Sequence, residues 1–150
     1  MNKISFIIPV FNEVKTVRKA IQEVIDLSID NKELIIIDNG SNDGSVEEIN
    51  YFKNFKNVKI FLKKNNTGYG SSIKKAIELS SGKYAYVQYA DLEYDINSCF
   101  EMYKKSEINK YDVVFGSRFN QSLKINFNLF NTIKQKPSYL ATFICTYLIN

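Results

Sequence analysis

The sequence predicts an α/β protein in which a mostly parallel sheet lies between two layers of helices. Three observations predict it. Continuous apolar runs of strand length recur along the chain, as strands buried on both faces require. Between them lie segments whose apolar residues repeat at helical spacing. Turn-rich stretches separate the two, so the pattern is a series of βαβ units. The 150 residues, 45% apolar and 24% charged, suffice for one domain with a substantial core.

Each element follows in order. Ile4 to Val10 is the first apolar run, ended by Pro9, and Asn12 is placed to cap the helix after it. Val14, Val17, Ile21, Val24 and Ile25 then recur on one helical face. Leu34 to Ile37 reads as the second strand, stopped by the turn-forming series Asp38 to Gly44. Val46, Ile49 and Phe52 mark a short helix, and Val58 to Leu62 a third strand. The loop Asn65 to Gly70 opens a helix through Ile73, Ala76 and Ile77 that Ser81-Gly82 ends. Tyr84 to Tyr89 reads as the fourth strand. Ile96, Cys99, Phe100 and Tyr103 mark another helix, and Val113 to Phe115 a fifth strand. Asn120 to Lys136 is polar and irregular, so order weakens there.

Composition narrows the function. A net charge of +4 suits work near phosphates or lipid headgroups, and equally a solvated lysine-rich surface; it is too weak and scattered for a nucleic-acid binder. Cys99 and Cys145 share no motif, and with no histidine neither a disulfide framework nor a zinc site is expected. The opening residues do not read as a secretory signal, and no apolar run reaches the roughly 18 residues a membrane span needs. A reducing cytoplasmic setting is the expectation.

Open parallel sheets bind ligands beyond the carboxyl ends of their strands. Polar clusters fall at four such ends: Asn12-Glu13, Asp38, Asp91 with Glu93, and Ser117-Arg118. Their wording goes further. Ile7-Ile8-Pro9-Val10-Phe11-Asn12-Glu13, the turn Asp38 to Ser45, Asn66-Thr67-Gly68-Tyr69-Gly70, the stretch Gln88 to Asp95, and Gly116-Ser117-Arg118-Phe119 occur in that order. Together these five blocks resemble the family 2 glycosyltransferases, in the branch of the dolichol-phosphate mannose synthase-like and polyprenyl-phosphate sugar transferases. The resemblance runs over about residues 4 to 119.

The resemblance implies a GT-A fold, a Rossmann-like three-layer α/β/α sandwich. It implies a nucleotide-sugar-binding domain over residues 1–119, with 120–150 as the start of an acceptor region that is cut short. The implied reaction moves a sugar from a UDP- or GDP-linked donor to an acceptor such as a polyprenyl phosphate, at the inner face of the cell membrane with peripheral membrane contact and a role in cell-envelope synthesis. Asp38 would accept hydrogen bonds from the base, a task that suits a charged acceptor; an Asx-turn closing the strand is the other reading of it. Pro9, Phe11 and Glu13 match pocket-lining positions, although Glu13 also suits a first helical turn. Ile36 and Ala90 carry over as packing or backbone contacts. Asp43 reads as a turn or cap residue.

The resemblance places Asp91 and Arg118 as the catalytic pair, both beside the donor. A guanidinium fork suits phosphate oxygens, and a surface ion pair is the alternative for Arg118. Asp91 and Glu93 would hold Mg²⁺ or Mn²⁺ at the leaving diphosphate. Tyr89 stands where relatives carry the first carboxylate of their Asp-x-Asp pair, and a neutral phenol is a poor ligand for a hard cation. Tyr89 either meets the sugar or fills space. A non-catalytic or degenerate nucleotide-sugar-binding scaffold stays open as the alternative function.

Overall fold

The computed structural model describes residues 3–116. The chain divides into two compact units, Met1–Phe115 and Gly116–Asn150, and the described residues give the architecture of the first. Its elements alternate as β1 (Ile4–Val10), α1 (Val17–Asp26), β2 (Lys32–Asp38), α2 (Ser45–Asn50), β3 (Val58–Leu62), α3 (Tyr69–Leu79), β4 (Tyr84–Val87) and α4 (Ser98–Asn109). The sheet order is β3-β2-β1-β4, and every pairing is parallel.

Strand alternation divides the core. Side chains of successive residues point to opposite faces, so Phe6, Ile8 and Ile36 pack on one side with Val17, Ile21, Val24, Ile49, Phe52 and Cys99. Ile7, Ile35 and Ile37 pack on the other against Ala76 of α3. This double burial is why β1 and β2 are apolar at nearly every position. Each fully buried isoleucine contributes on the order of 1.5–3 kcal/mol relative to exposure, so the central strands are the most stable part of the unit. Burial also pushes the Cys99 thiol up to about 12, which leaves it an inert core residue.

The structure corrects several expectations. Pro9 does not end β1; it lies within the strand opposite Ile37, and β1 runs on to Val10. Asn12 does not cap α1. The helix starts at Val17, five residues beyond it, and Asn12 sits at φ +56° with its Oδ1 accepting the Asn42 N–H. Ile77 faces outward on α3, where Ser72 and Ala76 take the buried positions. The ladder of β4 stops at Val87, although the Gln88 N–H still reaches the Ile7 carbonyl at 2.9 Å. Val113 to Phe115 form no strand. Phe115 is 90% exposed, and none of these three residues joins the ladder beside β4. An apolar run without a partner ladder leaves its backbone groups unpaired, so it takes no regular form.

The end of the sheet away from the carboxyl termini is tied by one buried carboxylate. The Glu33 side chain is 2% exposed and is paired with Lys59 at 3.0 Å and Lys3 at 3.2 Å. Its Oε1 accepts the Ser5 hydroxyl at 2.7 Å and the Ser81 hydroxyl and N–H. Three strands and the α3–β4 connection meet there.

Helix α4 closes on Lys110 in the left-handed region, at φ +55°. A Cβ is disfavoured there by about 1–2 kcal/mol, a penalty glycine escapes at some entropic cost in the unfolded chain. Replacing Lys110 by glycine is therefore expected to raise stability by about 0.5 kcal/mol, read as a higher urea midpoint with an unchanged slope.

Candidate functional site

Parallel pairing brings the carboxyl ends of all four strands to one edge, and the site is built there. Asp38 ends β2 and is 1% exposed. Its Oδ2 accepts the N–H groups of Gly40 and Ser41 at 3.0 and 3.1 Å, so the carboxylate folds the turn beneath itself. Its Oδ1 is buried with no hydrogen-bond partner. Buried acceptors without partners are rare because desolvation is costly. A carboxylate acceptor left open at the rim of a parallel sheet suits a ligand N–H.

Asn39 links this turn to the next loop. Its N–H donates to the Val10 carbonyl at 2.8 Å, its Nδ2 donates to Asn66 Oδ1 at 2.7 Å, and its Oδ1 accepts the Thr67 N–H at 3.2 Å. Only an amide both donates and accepts in this way; a carboxylate would lose the Asn66 bond. Gly40, at φ +81°, lies so close under the same loop that an added Cβ would meet the Asn65 carbonyl carbon at 2.8 Å. Lys63 continues the rim. Its N–H donates to the Asp38 carbonyl, and its ammonium group donates to the hydroxyls of Thr67, Ser71 and Ser72.

On the β1 side, the segment 12–14 is clasped to the segment 41–45. Ser41 Oγ accepts the Asn12 N–H, Ser45 Oγ accepts the Glu13 N–H, and Asp43 Oδ2 accepts the Val14 N–H. The Ser45 hydroxyl, together with backbone N–H groups, holds the Asp43 carboxyl below its ordinary range. Glu13 Oε2 accepts the Thr16 hydroxyl at 3.0 Å, just ahead of α1. Pro9 is half-buried in β1, and Phe11 stands 45% exposed beyond it. Ile36 and Ala90 are buried in the core.

Beyond β4, Gln88 is buried and its Nε2 donates to the Tyr94 carbonyl at 3.3 Å, drawing the segment 89–94 into a closed loop. Gln88 Oε1, like Asp38 Oδ1, is buried without a partner. Asp91 is exposed, and its Oδ1 accepts the Glu93 N–H at 3.0 Å across Leu92, whose φ is +60°. Asp91 thus shapes its own turn, as Asp38 does. Tyr89 stacks on Tyr69, with ring centroids 5.6 Å apart and planes 5° from parallel, and the Tyr69 hydroxyl donates to the Tyr89 hydroxyl at 3.0 Å. Tyr94 closes on the Tyr89 ring at 5.5 Å.

A divalent cation tests poorly against these groups. Among the described residues, no three His, Cys, Asp or Glu side chains converge. Asp91 has one oxygen committed to its turn, and the position two residues before it carries a phenol stacked on another phenol. Burial first, and then the Tyr89 hydroxyl, push the Tyr69 phenol well above its ordinary range, so it stays neutral and offers no phenolate to a cation. The described residues do not fit a resident divalent cation.

Asp38, Glu13, Phe11, Tyr89 and Asp91 therefore follow strands that end along a single edge. Arg118 lies outside the described residues, as does Cys145. Lys63, Gln88 and the Tyr69 partner of Tyr89 were not singled out from the sequence, and Asn39 was read only as part of the turn after Asp38. An Asn directly after a strand-ending Asp, and two tyrosines in consecutive rim loops, were the available signals. A groove of about 690 Å³ runs between α1 and the segment 92–100, lined by Lys19, Asp26, Leu92, Tyr94 and Phe100. It holds none of the rim residues Asp38, Tyr89 or Asp91.

Comparison with known proteins fits this architecture. The description "Glycosyl transferase family 2" matches residues 5–147. The chain belongs to glycosyl transferase family 2. Among family relatives, it is 30% identical over 125 residues to the cholesterol galactosyltransferase of Borreliella burgdorferi, covering 83% of this chain and 35% of that protein. It is 31% identical over 115 residues to the poly-beta-1,6-N-acetyl-D-glucosamine synthase of Staphylococcus epidermidis, covering 76% of this chain and 28% of that one. The chain thus spans about a third of the length of these relatives. Among solved structures, S. aureus TarS 1-349 in complex with UDP-GlcNAc superposes with a TM-score of 0.67 at 19% identity, over 81% of this chain and 38% of that one. The mannosyltransferase PcManGT from Pyrobaculum calidifontis, in complex with GDP-Man and Mn²⁺, gives 0.55 at 17% identity, over 60% of this chain and 28% of that one. The fold is GT-A.

Proposed function

We propose that this family 2 chain is the donor-binding half of a glycosyltransferase that moves a sugar from a nucleoside-diphosphate sugar to an acceptor. One observation carries the reading: Asp38, buried at a strand end, has one oxygen pinned by two backbone N–H groups and the other without a partner. The ring N–H of uracil or guanine supplies the missing donor, and the fixed Oδ2 keeps Oδ1 oriented for it. Phe11 and Pro9 wall the base, and the loop 65–68, held by Asn39, closes the other side. Bound UDP-GlcNAc in TarS and bound GDP-Man in PcManGT favour a donor of this class.

Transfer breaks the bond between the anomeric carbon and the diphosphate, so the chain's task is to position the donor and neutralise the departing charge. Asp91 and the Tyr89 hydroxyl lie beside the sugar–diphosphate end, and Arg118 is the cation assigned to the phosphates. The Mg²⁺ or Mn²⁺ that the resemblance implies is given no step, since the described residues do not gather a cage for it. Residues 1–119 form the donor domain in this reading, and 120–150 begin the acceptor region. A polyprenyl phosphate is the proposed acceptor. Its phosphate is already ionised and needs no general base, and its lipid chain would put the reaction at the cytoplasmic membrane face. No helix among the described residues is long and apolar enough to cross a membrane.

Calorimetry with UDP and GDP tests the reading. Asp38→Asn keeps the shape but turns an amide N–H toward the base or gives up a turn bond. A hydrogen bond to a charged group is worth about 1.5–3 kcal/mol, so a roughly tenfold or greater loss of affinity is expected, measured on protein shown to be folded. Equal affinity for both nucleotides in the native chain and the variant would remove Asp38 from the site.

A further inference from the structure

The pair Tyr69 and Tyr89 stands where a carboxylate would be needed to share a cation with Asp91. The two rings are parallel, their hydroxyls are hydrogen-bonded, and Tyr94 backs the outer ring. Each ring is less than half exposed, so the stack is a packed part of the rim. The hydrogen bond between the two hydroxyls uses one of their two protons and leaves the other for an oxygen outside the pair. Rotating Tyr89 away to admit a cation would break the stack and that bond together. Asp91, two residues on, has an oxygen held by the Glu93 N–H. A phenol pair is a donor surface suited to phosphate oxygens and unsuited to a hard cation.

We propose that this chain binds its nucleoside diphosphate without a divalent cation, the Tyr69–Tyr89 pair donating a hydrogen bond to the diphosphate or the adjoining sugar where a metal-bridging carboxylate would otherwise stand. The inference rests on the donor-binding reading above. It narrows the ligand to the free nucleotide and assigns Tyr89 a binding role.

Titration of the full chain with UDP and GDP, once in EDTA and once in excess Mn²⁺, tests it. The expected result is a dissociation constant that agrees within about twofold between the two conditions. Manganese alone, followed by the electron paramagnetic resonance signal of the free ion, should show no site in the native chain. Tyr89→Phe keeps the ring and loses the hydroxyl, so nucleotide affinity should fall about fivefold, as one hydrogen bond of about 1 kcal/mol implies. Tyr89→Asp should bind manganese and become dependent on it. A native affinity that tightens about tenfold or more with Mn²⁺ overturns the inference and leaves the donor-binding reading standing. Failure to bind either nucleotide in both conditions overturns that reading, and this inference with it.

Discussion

Replacing Glu33 by alanine is expected to lower the stability of the unit by about 3 kcal/mol, the low end of the range for removing one partner of a buried ion pair. The side chain is 2% exposed and serves two lysines, two serine hydroxyls and one backbone N–H. Without it, the Ser81 N–H and the Ser5 hydroxyl lose a buried acceptor, while Lys3 and Lys59 recover solvent. Burial by itself would raise the Glu33 carboxyl, but hydrogen bonds from Ser5, Ser81 and Lys59 outweigh it and hold the group well below the ordinary carboxylate range. The sign follows. The contribution is complete above the unfolded carboxyl value of about 4.3 and is lost as pH falls below it toward the folded value. Urea midpoints between pH 7 and pH 3 should therefore fall more steeply for the native chain than for Glu33→Gln. Parallel slopes would show that Glu33 is not the group titrating.

Gly40→Ala is expected to cost about 2–5 kcal/mol and to weaken nucleotide binding with it. Two penalties add: a Cβ at φ +81° is strained by about 1–2 kcal/mol, and overpacking adds about 1–3 kcal/mol. The contact is with backbone, the Asn65 carbonyl carbon at 2.8 Å and the Asn66 nitrogen at 2.9 Å, so no side chain can turn aside. The loop must move, and with it the Asn66 and Thr67 bonds to Asn39. Gly68→Ala is the control. Its φ is +86°, yet nothing lies within 4 Å of the added atom, so only the conformational part applies, about 1–3 kcal/mol at its ψ of 158°. Denaturant unfolding and UDP calorimetry on both variants separate strain from displacement. Equal losses would show that the 65–66 contact carries no weight.

The alternation of elements was legible because β1 and β2 are buried on both faces, which leaves a nearly unbroken apolar signature. Edges were less legible. Val113 to Phe115 have the composition of a strand, but composition does not reveal whether a partner ladder is present. Asn12 has the chemistry of a helix cap, yet its amide is taken by the Asn42 N–H, a contact 30 positions away. For the rim, Asp38 and Asp91 could be found from their places after strands. The dual role of Asp38, turn-former through one oxygen and open acceptor through the other, needed the geometry. The Tyr69–Tyr89 stack joins the start of α3 to the loop after β4, 20 residues on, and no local spacing reports it.

Strand order has a consequence for how the chain assembles. β1 leaves the ribosome first, yet its second neighbour is β4, with Ile4 opposite Tyr84. At roughly 5–20 residues per second, the central strand waits several seconds for the residue that covers its flank. During that interval one of the most apolar segments of the protein lies open along its backbone, so nascent chains stalled before Tyr84 should be the ones that recruit chaperones or aggregate.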